Sequence, residues 1–120
     1  MHEMSYCIKI VDEAIRAAKD NNLSTVSEIV VSVGKMTGCV DELLLNAFEA
    51  AKKNTILSNA TLTLVSQEVV ASCLDCNKDY VPSREFNYAC PICKGFNSKI
   101  IKGRNCTILK LIGDWVSFWN

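Results

Sequence analysis

The stretch CLDCNKDYVPSREFNYACPIC, residues 73–93, decides how the middle of this chain folds. It holds two Cys-x-x-Cys pairs, Cys73 with Cys76 and Cys90 with Cys93, and thirteen residues separate the pairs. Each pair can direct two thiolates at one centre, and four thiolates complete a tetrahedron around Zn(II). Because such a site has no open coordination position, the spacing predicts a structural zinc site rather than a catalytic one.

Two disulfides and a thiol redox pair are the alternatives for these four cysteines. The N-terminal stretch MHEMSYCIKIVDE carries acidic residues where a secretory signal has its apolar run, so we expect a cytoplasmic protein with reduced thiols. A redox motif needs one Cys-x-x-Cys pair at a strand-to-helix turn and has no use for a second pair. The pattern therefore favours zinc, and the folding of residues 73–93 should depend on the metal.

The composition of the chain changes around these cysteines. Residues 73–105 hold both prolines and few aliphatic residues, which indicates a small module that cannot fold on a hydrophobic core. We expect this module to occupy residues 69–105, inserted into a domain made of residues 1–68 and 106–120. Thirteen basic residues balance thirteen acidic ones, so net charge indicates no polyanionic partner. No apolar run reaches the ~18 residues of a membrane span.

Hydrophobic periodicity in the flanking segments predicts two helices. Apolar residues at steps of three and four predict a first helix over residues 4–18, with Cys7 and Ala14 flanking its stripe. That stripe consists of Met4, Ile8, Val11, Ile15 and Ala18. A second helix is predicted over residues 41–53, with a stripe made of Val40, Leu43, Leu44, Ala47, Phe48 and Ala51.

Alternating apolar residues predict three strands, over residues 26–33, 61–67 and 107–113. In the first strand, Ile29, Val31 and Val33 would share one face. Two helices on one face of a small sheet are the economical way to bury these surfaces. We therefore expect an α+β fold: two helices packed on a small, about three-stranded β-sheet, with an inserted four-cysteine domain that resembles a zinc ribbon.

The chain begins MHEMSYC, and His2 is its only histidine. A terminal amine, the next amide nitrogen and an imidazole at position 2 can surround one metal ion, and such nitrogen-rich planar sites suit Ni(II) or Cu(II). The terminal amine has a pKa near ~7.7–8.0, so it can lose its proton at cellular pH. A solvated chain end is the alternative reading of this stretch, because termini are commonly poorly ordered.

Several of these features together resemble the HypA/HybF family, the nickel-insertion proteins of [NiFe]-hydrogenase maturation. They are MHEMS at the N-terminus, NAFE at residues 46–49, and CxxC, thirteen residues and CPxC before a closing strand. The resemblance covers about residues 1–113. It implies a nickel-binding α/β domain with an inserted zinc domain. Transferable Ni(II) would be bound by Met1, His2 and Glu3, and structural Zn(II) by Cys73, Cys76, Cys90 and Cys93.

The resemblance also implies partners. The family is similar in working with a HypB-type GTPase and delivering nickel to the hydrogenase large subunit. In some bacteria it also serves urease, which adds urease accessory proteins as candidate partners. We expect neither nucleic acid nor a membrane as a partner, and the sequence leaves a monomer and a homodimer open.

A zinc-ribbon module that binds nucleic acid or protein is the alternative function. Residues 73–105 hold six lysines and arginines against three acidic residues, and Phe86, Tyr88 and Phe96 could stack on bases. The excess is slight, and an ordinary solvated surface explains it equally well. Association that weakens steeply with salt would favour this alternative.

The remaining cysteines, Cys7, Cys39 and Cys106, have no histidine beside them in sequence. Cysteine is among the most buried residues, so we expect core positions. A redox sensor would instead need an exposed thiolate of lowered pKa. The chain has no phosphate-binding loop, acid–base pair or activated nucleophile that its sequence reveals, which favours a binding protein over an enzyme.

Overall fold

A computed structural model describes residues 2–115, which contain two α-helices and six β-strands. The helices are α1 (Glu3–Asp20) and α2 (Asp41–Ala51). The strands are β1 (Leu23–Gly34), β2 (Thr61–Gln67), β3 (Val70–Cys73), β4 (Asp79–Tyr80), β5 (Ser98–Lys102) and β6 (Cys106–Trp115). They form two three-stranded sheets, ordered β2-β1-β6 and β4-β3-β5. Neither helix in this part of the chain combines the length and apolar composition that crossing a bilayer requires.

The chain divides into two compact units. The helix–sheet unit comprises residues 2–32, 39–65 and 106–115 of the described chain, and the cysteine unit comprises residues 33–38 and 66–105. The predicted fold class is confirmed: two helices accompany a three-stranded sheet, and a four-cysteine module is inserted between β2 and β6.

The core of the helix–sheet unit is built from large apolar side chains. Helix α1 packs on α2 and on β6, and the predicted inward face of β1 is confirmed, because Ile29, Val31 and Val33 are all buried. Near the start of β1, Ser24 Oγ donates a hydrogen bond to the Asp114 carbonyl. The largest fully buried side chains of this unit are Phe48, Ile10, Ile29, Leu44, Leu57, Val26 and Val31.

Helix α1 buries only part of the predicted stripe, with Val11 and Ala18 buried as predicted. Met4 and Ile8 are about half exposed, so their assignment to the core is wrong. The buried face instead consists of Glu3, Cys7, Ile10, Val11, Ala14 and Ala18. Two apolar stripes compete on this helix, and the one that wins carries small residues, which allow α2 and β6 to approach closely.

Helix α1 ends at Asp20, two residues beyond the predicted end at residue 18. The N–H and Nδ2 groups of Asn21 both donate to the Ala17 carbonyl, at 3.1 Å and 2.8 Å. Asn22 then adopts φ 57°, the left-handed conformation that asparagine tolerates better than most residues. Helix α2 is shorter than predicted and stops at Ala51. Its buried residues are Leu44 and Phe48, whereas Val40 and Leu43 are about half exposed and were wrongly assigned to the core.

The cysteine unit has a thin core. Strand β3 pairs antiparallel with β4 and with β5, so that Ala71 lies opposite Tyr80 on one side and Ile100 on the other. Its buried hydrophobic side chains beyond Val33 are small ones: Ala71, Cys73, Ala89 and Cys90. This matches the expectation of a module that cannot fold on an apolar core alone.

Residues 33–38 are joined to the cysteine unit by backbone hydrogen bonds. The N–H of Gly34 donates to the Asn105 carbonyl at 3.1 Å, and the N–H of Met36 donates to the Gly103 carbonyl at 3.0 Å. A Cβ at position 34 would lie 2.2 Å from the Gly103 carbonyl oxygen, so only glycine permits this approach. The end of β1 is therefore a structural part of the cysteine unit.

Candidate metal centres

Two turns of the same shape present the four paired cysteines. In the first turn, the N–H of Asn77 donates to the Cys73 carbonyl at 2.9 Å; in the second, the N–H of Lys94 donates to the Cys90 carbonyl at 2.8 Å. Asn77 and Lys94 both adopt left-handed φ values, 58° and 63°. The chain thus bends identically after each Cys-x-x-Cys pair, which brings both sulfurs of a pair to one side.

The four sulfurs converge on one point. The Sγ atoms of the predicted zinc ligands, Cys73, Cys76, Cys90 and Cys93, all lie within 4.8 Å of one another. The separation is 3.6 Å between the sulfurs of Cys73 and Cys93, and 3.5 Å between those of Cys76 and Cys90. A tetrahedron with Zn–S bonds of about 2.3 Å has S···S edges of about 3.8 Å. The donor set and its spacing therefore fit a four-thiolate metal site.

None of the seven cysteines, all of which lie within the described residues, forms a disulfide bond. The disulfide alternative for the paired cysteines is thus not the state that the structure presents.

Backbone amides prepare the first cysteine of each pair for ionisation. The Cys76 N–H lowers the pKa of the Cys73 thiol to about 6, and the Cys93 N–H likewise lowers the pKa of Cys90. A hydrogen bond with the Cys73 sulfur stabilises the protonated Cys76 thiol and raises the pKa of Cys76 to about 12, so the two thiols do not ionise together. A bound dication removes this conflict and allows all four thiols to deprotonate.

A polar contact braces the cluster from outside. Asp75 Oδ1 accepts a hydrogen bond from Asn97 Nδ2 at 3.1 Å, and the Asn97 carbonyl accepts one from the Leu74 N–H at 2.8 Å. Gly95 lies against the cluster, since a Cβ there would be 3.4 Å from the Cys93 sulfur. Contacts of this kind hold metal-binding sulfurs in place.

The predicted nickel ligands lie at the start of α1 and differ in their exposure to solvent. His2 is exposed and precedes the helix, and its carbonyl accepts the hydrogen bond from the Tyr6 N–H at 3.1 Å. Glu3 points inward: it is 8% exposed, and its Oε2 accepts a hydrogen bond from the Val40 N–H at 3.0 Å. Met1, the third predicted ligand, lies outside the described residues.

The bond between Glu3 and Val40 is a feature that sequence reasoning missed. Val40 is the residue directly before α2, so the carboxylate of Glu3 accepts a backbone donor at that helix's N-terminal end. Its negative charge is favourable there because of the helix dipole. An acidic residue in the first turn of one helix gives no sequence signal for a contact with the other helix.

The three remaining cysteines all belong to the helix–sheet unit. The predicted core position is confirmed for Cys7 and Cys106, whereas Cys39 is only partly buried. Cys7 Sγ donates to the Leu44 carbonyl at 3.3 Å, and burial raises the pKa of its thiol to about 11.

The aromatic residues of the cysteine unit have different neighbours. The Lys94 ammonium lies 4.6 Å from the centre of the Phe86 ring. Tyr88 and Phe96 instead line an apolar cleft of about 440 Å³, together with residues that include Tyr80 and Ile100. The hydroxyl of Tyr80 donates to Ser98 Oγ at 2.9 Å, so its polar atom is already satisfied.

Comparison with known sequences gives a consistent result. A family model described as "Hydrogenase/urease nickel incorporation, metallochaperone, hypA" matches residues 1–112. The chain is 31% identical over 112 residues to a hydrogenase maturation factor HypA of Francisella philomiragia, covering 93% of this chain and 98% of that protein. It is 32% identical over 111 residues to the Aquifex aeolicus protein of the same name, covering 92% and 96%.

Comparison with solved structures agrees. The solution structure of the Ni metallochaperone HypA from Helicobacter pylori superposes with a TM-score of 0.81 at 25% sequence identity, covering 97% of this chain and all of that one. A second solution structure, of a HypA protein, gives a TM-score of 0.74, again at 25% identity, with 94% and 96% coverage.

Proposed function

Because the chain belongs to the HypA family of hydrogenase/urease nickel-incorporation metallochaperones, we propose that it binds Ni(II) at its N-terminus. It then passes the ion to the large subunit of a [NiFe]-hydrogenase. The ligands are the terminal amine of Met1, the next amide nitrogen, the imidazole of His2, and Glu3 beside them. The observation that carries this proposal is the contrast between an exposed His2 and an anchored Glu3.

Anchoring on one side and exposure on the other suit a carrier. The hydrogen bond from the Val40 N–H fixes Glu3 at 3.0 Å, so the backbone beside His2 is held to the folded unit. His2 itself remains open to solvent, where an ion can enter and leave. Nitrogen ligands in a plane favour Ni(II), and a site at the surface allows another protein to take the ion over.

The four-cysteine site has a different task in this proposal. Cys73, Cys76, Cys90 and Cys93 hold structural Zn(II), because four thiolates around a tetrahedral ion leave no position for substrate. Zinc supplies the folding energy of the cysteine unit, and no chemistry occurs at it. Residues 69–105 would act as the zinc domain, and residues 1–68 with 106–120 as the nickel domain.

We assign catalysis to a partner and not to this chain. A HypB-type GTPase would hydrolyse nucleotide and drive the transfer, and urease accessory proteins are further candidate recipients. Transfer belongs in the cytoplasm, where cysteine thiols stay reduced and can bind zinc. One chain supplies every ligand that we assign, so the proposal requires no second copy, and a homodimer is compatible with it.

Replacing the single histidine tests this function. In zinc-loaded protein, His2→Ala should abolish the specific binding of one Ni(II) per chain and leave zinc content unchanged. Titration calorimetry measures the affinity, and d–d absorption reports whether the ligand field is planar. Lys9→Ala is the matched control, because Lys9 lines the same surface recess as His2 but has no role as a ligand. Nickel affinity that is unaltered in His2→Ala would overturn the proposal.

A further inference from the structure

An apolar cleft of about 440 Å³ opens on one face of the sheet β4-β3-β5. Its floor is a row across the three strands, in which Ala71 lies opposite Tyr80 on one side and Ile100 on the other. All of its lining residues belong to the cysteine unit, and none of them is a predicted metal ligand. The cleft is therefore a separate feature of one folded unit.

Large side chains form the exposed walls of the cleft. Phe96 is 74% exposed, Tyr88 is 58% exposed and Met36 is 50% exposed. Single apolar residues are common at protein surfaces, but a concave cluster of aromatic and methionine side chains is typical of surfaces that bind other proteins. The exposure of these three side chains leaves the apolar lining open to a ligand.

The backbone at Tyr88 is held in an unfavourable conformation. Its φ is 65°, in the left-handed region that a bulky residue rarely adopts, and Asn87 before it has φ 52°. A hydrogen bond fixes this turn, because the Tyr88 N–H donates to the Ser83 carbonyl at 2.8 Å. Backbone strain of this kind concentrates at binding sites. Here it holds the Tyr88 side chain at the cleft.

A cation lies beside the walls of the cleft. The Lys94 ammonium is 4.6 Å from the centre of the Phe86 ring, and Phe86 is two residues before Tyr88. Lys94 is in turn two residues before Phe96, the other aromatic wall. Among residues 2–115, no carboxylate forms an ion pair with Lys94. Its positive charge is therefore available to an acidic ligand of the cleft.

The acidic residues near the cleft are paired, turned away or offset. Glu68 forms an ion pair with Lys35. Asp79 precedes Tyr80 in β4, and the alternation of side chains along a strand places it on the opposite face of the sheet. Glu85 directly follows an arginine in its turn. The balance of charge beside the cleft is therefore positive, and it complements an acidic partner.

An apolar side chain fits this lining better than a nucleobase does. The Tyr80 hydroxyl donates to Ser98 Oγ at 2.9 Å, so these two polar groups of the lining are bonded to each other. The polar edge of a base would lose its hydrogen bonds to water there, whereas a phenylalanine or leucine side chain has none to lose. We propose that the cleft binds an acidic segment of a partner protein, which buries one large apolar side chain against Tyr88 and Phe96 and places a carboxylate near Lys94. This inference goes beyond nickel binding and does not depend on it.

Short peptides test the chemistry of the partner. Zinc-loaded protein is titrated with fluorescein-labelled peptide DEDFEDE, and fluorescence anisotropy reports binding. Three labelled controls are compared: DEDSEDE lacks the apolar side chain, NQNFNQN lacks the charges, and heptauridylate is a nucleic acid. We expect DEDFEDE to bind saturably and about tenfold more tightly than each control. Absence of saturable binding, equal binding of DEDSEDE, or tighter binding of heptauridylate would overturn the proposal.

Variants of the cleft walls locate the site on the protein. Phe96→Ala and Met36→Ala, on separate segments of the chain, should each weaken DEDFEDE binding about tenfold. Ile92→Ala is the matched control and should leave binding unchanged, because Ile92 is 64% exposed and lies outside the cleft. Zinc content and circular dichroism establish that each variant is folded, and Met36→Ala decides if Phe96→Ala fails this check. Equal affinities in the cleft variants and in Ile92→Ala would refute the site.

Replacing one lysine tests the charge. Lys94→Gln should weaken DEDFEDE binding about threefold and leave NQNFNQN binding unchanged, because only the first peptide carries carboxylates. Lys99→Gln is the control and should change neither, since Lys99 lies opposite Ser72, on the other face of the sheet from Ile100. Equal losses in the two lysine variants would overturn the assignment of the carboxylate to Lys94.

Discussion

The helix–sheet unit and the cysteine unit bury different kinds of side chain. Phe48, Ile10 and Leu57 fill the first, whereas small side chains such as Ala71, Cys73 and Cys90 dominate the buried positions of the second. Burying one large apolar side chain contributes about 1.5–3 kcal/mol, so only the first unit accumulates enough apolar burial to offset its lost chain entropy. We therefore expect the second unit to depend on a bound metal ion for its stability.

The two units also carry opposite charge. The cysteine unit has seven lysines and arginines against four acidic residues, and the helix–sheet unit has six against nine. Four thiolates around one zinc ion leave two negative charges uncompensated. The basic excess lies in the unit that would carry this negative centre, which would be favourable electrostatically.

Removing the metal should show the largest difference in stability between the two units. A strong chelator, or Cys90→Ser, should unfold the cysteine unit, because structural zinc contributes about 10–16 kcal/mol of binding energy in small zinc domains. Amide spectra should then lose dispersion for residues 66–105 and keep it for α1 and α2. Cys7→Ala, in the other unit, is the control and should keep its zinc. Dispersed resonances from the cysteine unit after metal removal would contradict this contrast between the two units.

Truncating the apolar core should instead destabilise the helix–sheet unit and leave the metal site intact. Phe48→Ala removes a side chain that is 1% exposed, and we expect a loss of about 3–5 kcal/mol in the free energy of unfolding. Urea unfolding followed by circular dichroism measures the loss, and zinc content should not change. Phe96→Ala is the control: this phenylalanine is 74% exposed, and its removal should cost about 0.5 kcal/mol or less. A comparable loss in both variants would refute the distinction.

Disturbing a close backbone contact inside the cysteine unit should lower the free energy of unfolding nearly as much. Gly34→Ala would force a Cβ to within 2.2 Å of the Gly103 carbonyl oxygen, and we expect about 2–3 kcal/mol of destabilisation. Gly38→Ala is the control, since φ 68° there costs about 1 kcal/mol while no neighbour lies within 4 Å of the added carbon. Thermal unfolding at saturating zinc compares them. Equal losses would mean that the close approach at Gly34 is unimportant.

Alkaline pH should weaken the helix–sheet unit through Cys7. Burial raises the pKa of this thiol to about 11, above its value in the unfolded chain, so the unfolded state loses its proton first. Stability is therefore complete below about pH 9 and falls towards pH 11, by about 1 kcal/mol at pH 10. The pH dependence of urea unfolding, compared between the native chain and Cys7→Ala, isolates this contribution. Identical slopes would show that Cys7 does not ionise on unfolding.

Sequence patterns located the elements well and their packed faces less well. The strand over 26–33 and the helix over 4–18 appear in the structure with extended ends. Periodicity could not choose between two stripes on α1, because both repeat at helical spacing and differ only in side-chain size. It placed Met4 and Ile8 in the core, whereas Cys7 and Ala14 occupy it. The neighbours that decide between such stripes lie far away in sequence.

By itself, the sequence determined the four-cysteine cluster, since two Cys-x-x-Cys turns carry their own local geometry and one ion can join them. It also determined the class of the fold, because the spacing of apolar residues is a local property. Only the tertiary structure decided that Glu3 turns inward to the Val40 N–H, and that the Cys7 thiol donates to the Leu44 carbonyl. These contacts join residues tens of positions apart, and no periodic pattern records them. They depend on how helices and strands pack after each has formed.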